Sequence, residues 1–83
     1  MPRRADRRNE RDARRLRAFG ERVRVLRVER GLTQEDLAEA ADLYRAEIGL
    51  IENARREASY TIICRLADGF GLTASQLLDG VPS

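Results

Sequence analysis

The sequence contains no His, no Trp and no Lys, and a single Cys among its 83 residues. Without His it lacks the side chain that ordinarily moves protons near neutral pH, and with it the commonest metal ligand. One Cys makes neither an intramolecular disulfide nor a thiolate cage, so no metal or cofactor is expected and a reducing cytoplasm is the expected compartment. No apolar run approaches the roughly 18 residues of a membrane span, and the first residues are charged, unlike a secretory signal. Eighty-three residues leave room for one small core, because a chain of this size buries only about 60% of its unfolded surface. These gaps point away from an enzyme and from a membrane protein, toward a small cytoplasmic domain.

What is present is charge, unevenly spread. The formal balance is +2, with 16 basic residues, all Arg, against 14 acids. Residues 1–17 carry eight of the Arg against Asp6, Glu10 and Asp12, a local balance of +5. The other eight Arg face eleven acids across residues 18–83, a balance of −3. The absence of Lys has two readings: a coding bias toward Arg codons, or selection for guanidinium forks, which suit phosphate and guanine better than an ammonium does.

Hydrophobic spacing divides the chain. Residues 1–15 are nearly devoid of apolar side chains, and like charges recur at i,i+4 (Arg3–Arg7, Arg4–Arg8, Arg7–Arg11, Arg11–Arg15), which weakens a helix. They read as a flexible basic arm, helical toward its end. From Leu16, Phe19, Val23 and Leu26 trace the stripe of an amphipathic helix closed by Gly31. Thr33 with Asp36 forms a capping box for a second helix buried through Leu37, Ala38 and Ala41. Asp42, which tolerates a left-handed backbone, turns the chain. A third helix spans about Arg45 to Asn53, anchored by Leu43, Ile48 and Ile51. Ser59 caps a fourth, with Ile62, Ile63, Leu66, Ala67 and Phe70 inward and Gly71 at its end. Thr73 and Gln76 box a short fifth helix carrying Leu77 and Leu78, stopped by Gly80 and Pro82. The expected architecture is all-α, with an arm at 1–15, a five-helix domain at 16–80 and a short tail at 81–83.

Several residues within this pattern form a recognisable set: Gly20, Arg22–Val23–Arg24, Leu26–Arg27, Arg30 through Glu35, Leu37–Ala38, Ile48, Ile51–Glu52–Asn53, Arg56, Ser59, Leu66–Ala67, Gly71–Leu72 and Leu77–Leu78. Together they resemble the Cro/repressor-like helix-turn-helix family, over about three-quarters of the chain in register. Leu43–Tyr44–Arg45, Ile51–Glu52 and Arg55–Arg56 are more loosely similar to restriction–modification controller proteins. The resemblance implies a DNA-binding domain, usually dimeric, whose third helix enters the major groove. It also implies that Gln34 grips the DNA backbone and that Arg27 and Glu52 form a structural ion pair joining the first helix to the third. Three positions depart from the pattern. Ala54 replaces the Gly that usually follows the third helix, so the left-handed cap is expected on Asn53 or lost. Ala58 replaces a Pro, and Tyr44 replaces a hydroxyl or carboxylate cap, weakening that helix start by about 1 kcal/mol.

With Ile48 and Ile51 inward, a turn of about 100° per residue puts Ala46, Gly49, Leu50 and Asn53 outward, flanked by Arg45 and Glu47. Arg45 is the candidate for a bidentate guanine contact, Ala46 and Leu50 for thymine methyls, and Glu47 for a cytosine amino group or a pairing with Arg45. Tyr44, Asn53, Arg55 and Arg56, with Gln34, are the candidate phosphate contacts. The arm is expected to supply non-specific affinity by following phosphates or entering a neighbouring minor groove. Leu77, Leu78 and Val81 are expected to be left for a homodimer contact. Cys64 reads as a small packed hydrophobe, and the hydroxyls of Ser59, Thr73 and Ser75 as caps or surface groups, since no base is at hand to activate them. The leading expectation is a dimeric, sequence-specific, double-stranded DNA-binding transcriptional regulator. The alternative is a protein-interaction module or antitoxin on the same fold, docking a partner through the apolar face of the third helix.

Overall fold

The computed structural model describes residues 4–82; Met1 to Arg3 and Ser83, parts of the expected arm and tail, lie outside the described residues. Five helices follow one another: α1 (Arg4–Glu29), α2 (Gln34–Ala41), α3 (Arg45–Glu52), α4 (Tyr60–Phe70) and α5 (Ala74–Leu77). No strand occurs among the described residues. The molecule measures 44 × 24 × 22 Å. Its long dimension comes from α1, whose 26 residues rise about 39 Å at 1.5 Å each.

That length is the main difference from the sequence expectation, which begins the helix at Leu16. Continuation back to Arg4 has a physical reason. Helix formation is limited by its nucleus, and the packed segment from Leu16 to Glu29 already supplies one. Upstream residues then extend it with Ala, Arg and Glu, all good helix formers, and with no Gly or Pro between Arg4 and Leu16. Arg15 also donates to Asp12 across one turn at 2.9 Å, which offsets part of the like-charge repulsion.

The core is drawn from every helix: Phe19, Val23 and Leu26 from α1, Leu37, Ala38 and Ala41 from α2, Ile48 and Ile51 from α3, Leu66, Ala67 and Phe70 from α4, and Leu77 from α5. Close approach of α1 to α3 depends on Gly20. A Cβ there would meet the Ile51 and Glu52 carbonyl oxygens at 2.5 and 2.8 Å.

Helix starts follow the local signals. Thr33 and Asp36 exchange capping hydrogen bonds, as do Thr73 and Gln76, and the Ser59 hydroxyl accepts from the Ile62 amide. Helix ends share one device. α1, α2, α3 and α4 each close in a pair of backbone bonds around one left-handed residue: Gly31, Asp42, Ala54 and Gly71. After the first, second and fourth of these comes a Leu (Leu32, Leu43, Leu72) packed on the core. After Ala54 comes Arg55, which is exposed.

The α3 end corrects the expectation for Asn53. Asn53 stays near φ −91°, and Ala54 itself takes the left-handed conformation at φ 57°. The closing pair, Ala54 N–H to the Ile51 carbonyl at 3.1 Å and Arg55 N–H to the Leu50 carbonyl at 2.8 Å, requires it at that register.

A second correction concerns Leu77. It is 0% exposed within the single chain, so it is a core residue and not a dimer contact. Arg22 of α1 fastens this end, its Nε donating to the Leu77 carbonyl and its Nη2 to the Gln76 carbonyl, both at 3.0 Å. Leu78 stays partly exposed and Val81 is half-buried.

Candidate nucleic-acid interface

The α2–turn–α3 unit is built around Glu52. Its carboxylate, 3% exposed, accepts Arg27 Nε at 2.6 Å and Arg27 Nη2 at 3.0 Å, a bidentate fork from α1. Arg27 Nη1 also donates to the Leu32 carbonyl at 2.9 Å, tying in the turn that leads to α2. Gln34 Nε2, from the first turn of α2, donates to Glu52 Oε1 at 3.3 Å. The hydrogen bond to Glu52 holds the Arg27 pKa above its ordinary value, with the Coulombic attraction adding to it against a desolvation cost. One acid therefore fixes α1, α2 and α3 relative to each other. No polar side-chain atom is left buried and unpaired among the described residues.

Gln34 lies beside Gly49 of α3, its Nε2 3.9 Å from where a Cβ would stand, an ordinary contact distance. Gln34 is thus both at the N-terminus of α2, where the helix dipole favours an anion, and against the helix next door.

The start of α3 lacks a side-chain cap from Tyr44, which is 80% exposed. Glu47 compensates in part, its Oε1 accepting the Tyr44 amide at 3.2 Å. Its Oε2 lies 3.5 Å from Arg56 Nη1. Glu47 is accordingly paired with Arg56, beyond the end of α3, and not with Arg45. The Asn53 amide turns back to donate to the Gly49 carbonyl at 2.9 Å.

Arg45, Ala46 and Leu50 remain exposed on the outer side of α3, with Tyr44 at its start and Arg55 past its end. Of the residues singled out from sequence, the structure brings Gln34, Tyr44, Arg45, Ala46, Leu50 and Arg55 to accessible positions on the α2–α3 unit. Gln34, Glu47, Asn53 and Arg56 are engaged in intramolecular bonds, Asn53 and Arg56 while still exposed. The bond from the Tyr44 amide to Glu47 had a signal in the sequence, since Glu47 stands three residues after Tyr44, where a capping-box acid belongs. The Gln34–Gly49 contact had none, because it depends on how two helices cross.

A short helix, a tight turn and a second helix with an exposed outer face, locked from behind by a half-buried ion pair, define a helix-turn-helix domain. Residues 18–79 match the family described as helix-turn-helix domain, and the chain belongs to that family. Among curated relatives, it is 39% identical over 61 residues to the HTH-type transcriptional regulator DdrOP3 of Deinococcus deserti, covering 74% of this chain and 47% of that protein. The chain thus matches about half the length of DdrOP3. It is 34% identical over 64 residues to the control protein C.MunI of a Mycoplasma species, covering 76% of this chain and 86% of that one. Among solved structures, it is similar to the restriction-modification controller protein C.AhdI of Aeromonas hydrophila, with a TM-score of 0.72 and 37% identity over 75% of this chain and 94% of that one. Among the described residues no helix is long and apolar enough to cross a membrane.

Proposed function

We propose that this protein is a sequence-specific transcriptional regulator that binds double-stranded DNA as a homodimer, with α3 in the major groove. The observation that carries this is the locked α2–α3 unit: Glu52, held by Arg27 and Gln34, presents Arg45, Ala46 and Leu50 on a free face. Arg45 at the first turn of α3 is assigned to a bidentate guanine contact, and Ala46 and Leu50 to thymine methyl groups. Gln34, Tyr44 and Arg55 are assigned to phosphates flanking the groove, with Asn53 and Arg56 joining where their internal bonds yield. Glu47, held between the Tyr44 amide and Arg56, keeps α3 and the following loop in register. It reads a cytosine amino group only if Arg56 moves to phosphate. Leu78 and Val81 are the apolar groups left for a two-fold contact, which would set half-sites about one helical turn, roughly 34 Å, apart.

Docking of a protein partner through the apolar face of α3 is the weaker reading. Gln34 lies beside Gly49, which reduces that face to Ala46 and Leu50. Selection from a random duplex library tests the choice. Enrichment of a two-fold symmetric sequence is expected, and failure to enrich any sequence would overturn the regulator reading. Sedimentation with and without the selected duplex tests the dimer, and a single chain in both conditions would rule it out.

A further inference from the structure

The extension of α1 carries a charge pattern that the α2–α3 unit does not use. Arg7, Arg8, Arg11, Arg14 and Arg15 are all exposed. On an ideal helix at about 100° per residue they fall within an arc of about 120°, over a rise of roughly 12 Å. The acids of this stretch, Glu10 and Asp12, fall on the two borders of that arc. Among the described residues, Asp12 is the one carboxylate in contact with the stripe, on Arg15 at 2.9 Å. The result is a ladder of guanidinium groups along one edge of the helix.

Its direction follows from the packing of the rest of α1. Gly20 and Arg27 mark the side of α1 that meets α3, and on the same helical wheel they lie roughly opposite the stripe. Ala18, Arg22 and Val25, which do share the side of the stripe, line a groove with Asp79, Gly80, Val81 and Pro82. Arg11, Arg14 and Arg15 line the next groove along, again with Pro82. On α3, Ile51 and Glu52 face α1 while Ala46 and Leu50 point away from it. The stripe and the outer face of α3 therefore look in diverging directions from two sides of the molecule.

We propose that this stripe is a second DNA-binding surface, which holds the phosphates of a duplex segment other than the one entered by α3. This rests on the reading of the protein as a DNA-binding regulator, and it makes the molecule a bridge between two segments. Charge complementarity selects the occupant. Arg forks match phosphate oxygens in bidentate geometry, and a cation at every helical turn suits a polymer with evenly repeated charge. Contacts of this kind are independent of base sequence and strongly dependent on salt.

The test uses the full chain and the variant R7Q/R8Q/R11Q/R14Q, in which Gln retains helix propensity and circular dichroism verifies the helix content. The selected duplex is immobilised, the protein is added, and a labelled random-sequence duplex is then offered at about 50 mM salt. The wild-type protein is expected to retain the second duplex, and the variant to retain at least tenfold less while binding the selected duplex within about threefold of wild type. A wild-type protein that holds one duplex only, or a variant that bridges as well as wild type, overturns the proposal. If selection enriches nothing, the regulator reading fails separately. Binding of the random duplex alone then decides the stripe: a drop in salt slope of about 3 to 4, at 0.9 per lost phosphate contact, sustains it, and an unchanged slope removes it.

Discussion

Ala54 sits in the left-handed region at φ 57°, immediately after Asn53, whose side-chain amide folds back 2.9 Å from the Gly49 carbonyl. The left-handed backbone thus falls on a residue with a Cβ, beside one that tolerates it better. Ala54→Gly relieves that strain and is expected to raise stability by about 0.5–1 kcal/mol, the unfolded-chain entropy of Gly offsetting part of the gain. Urea unfolding measures it as a higher midpoint at an unchanged slope. Asn53→Gly has no strain to relieve and is expected to lower stability.

Arg27 and Glu52 are expected to behave as a unit. Arg27→Met leaves a carboxylate with 3% exposure held by Gln34 alone, at a cost on the order of 3 kcal/mol. A double variant, Arg27→Met with Glu52→Leu, removes both charges and is expected to recover much of that loss. Additive losses in a double-mutant cycle would show the two residues to be uncoupled.

Arg45 separates base reading from backbone contact. Arg45→Ala is expected to weaken binding to the selected duplex by about 1–3 kcal/mol while leaving random duplex nearly unaffected. Fluorescence anisotropy at fixed salt measures both. Equal losses on the two duplexes would reassign Arg45 to phosphate.

Asp36 gives the domain an acid-side pH dependence. The Thr33 backbone amide donates to its carboxylate at 2.9 Å, and this hydrogen bond, with the Thr33 hydroxyl close by, holds the pKa below the usual Asp value. A lowered folded-state pKa means that the unfolded chain takes up the proton first. The contribution is therefore complete above the unfolded value of about 3.9 and is lost as pH falls through the lower folded value. Asp36→Asn is expected to melt at a lower temperature than wild type at neutral pH, with the difference vanishing in strong acid. A gap that persists there would point to the amide and not to the charge.

The legible parts of this chain are those decided within four residues. The Thr33–Asp36 and Thr73–Gln76 boxes, the Ser59 cap and the left-handed Asp42 follow from local hydrogen-bonding options that few other residues offer. The run of α1 through residues 4–15 was not legible, because repulsion between neighbouring Arg is visible in the sequence while nucleation by the packed half of the helix is not. Leu77 shows the same limit: its apolar character is plain, but its direction depends on Arg22, more than fifty residues away. At the interface, residue types on α3 could be named in advance. The engagement of Glu47 by Arg56, and of Gln34 by Gly49 and Glu52, depends on tertiary crossing angles that no spacing encodes.

The Arg22 clasp bears on the order in which the chain folds. A four-residue helix does not persist in isolation, so α5 depends on its packing against α4 and on Arg22, which reaches the Gln76 and Leu77 carbonyls across 54 and 55 positions of sequence. The α2–α3 unit closes over much shorter loops and can assemble before that. Folding is then expected to proceed from the middle outward, with closure of the two distant segments as the late step. Substitutions at Arg22 should speed unfolding much more than they slow folding.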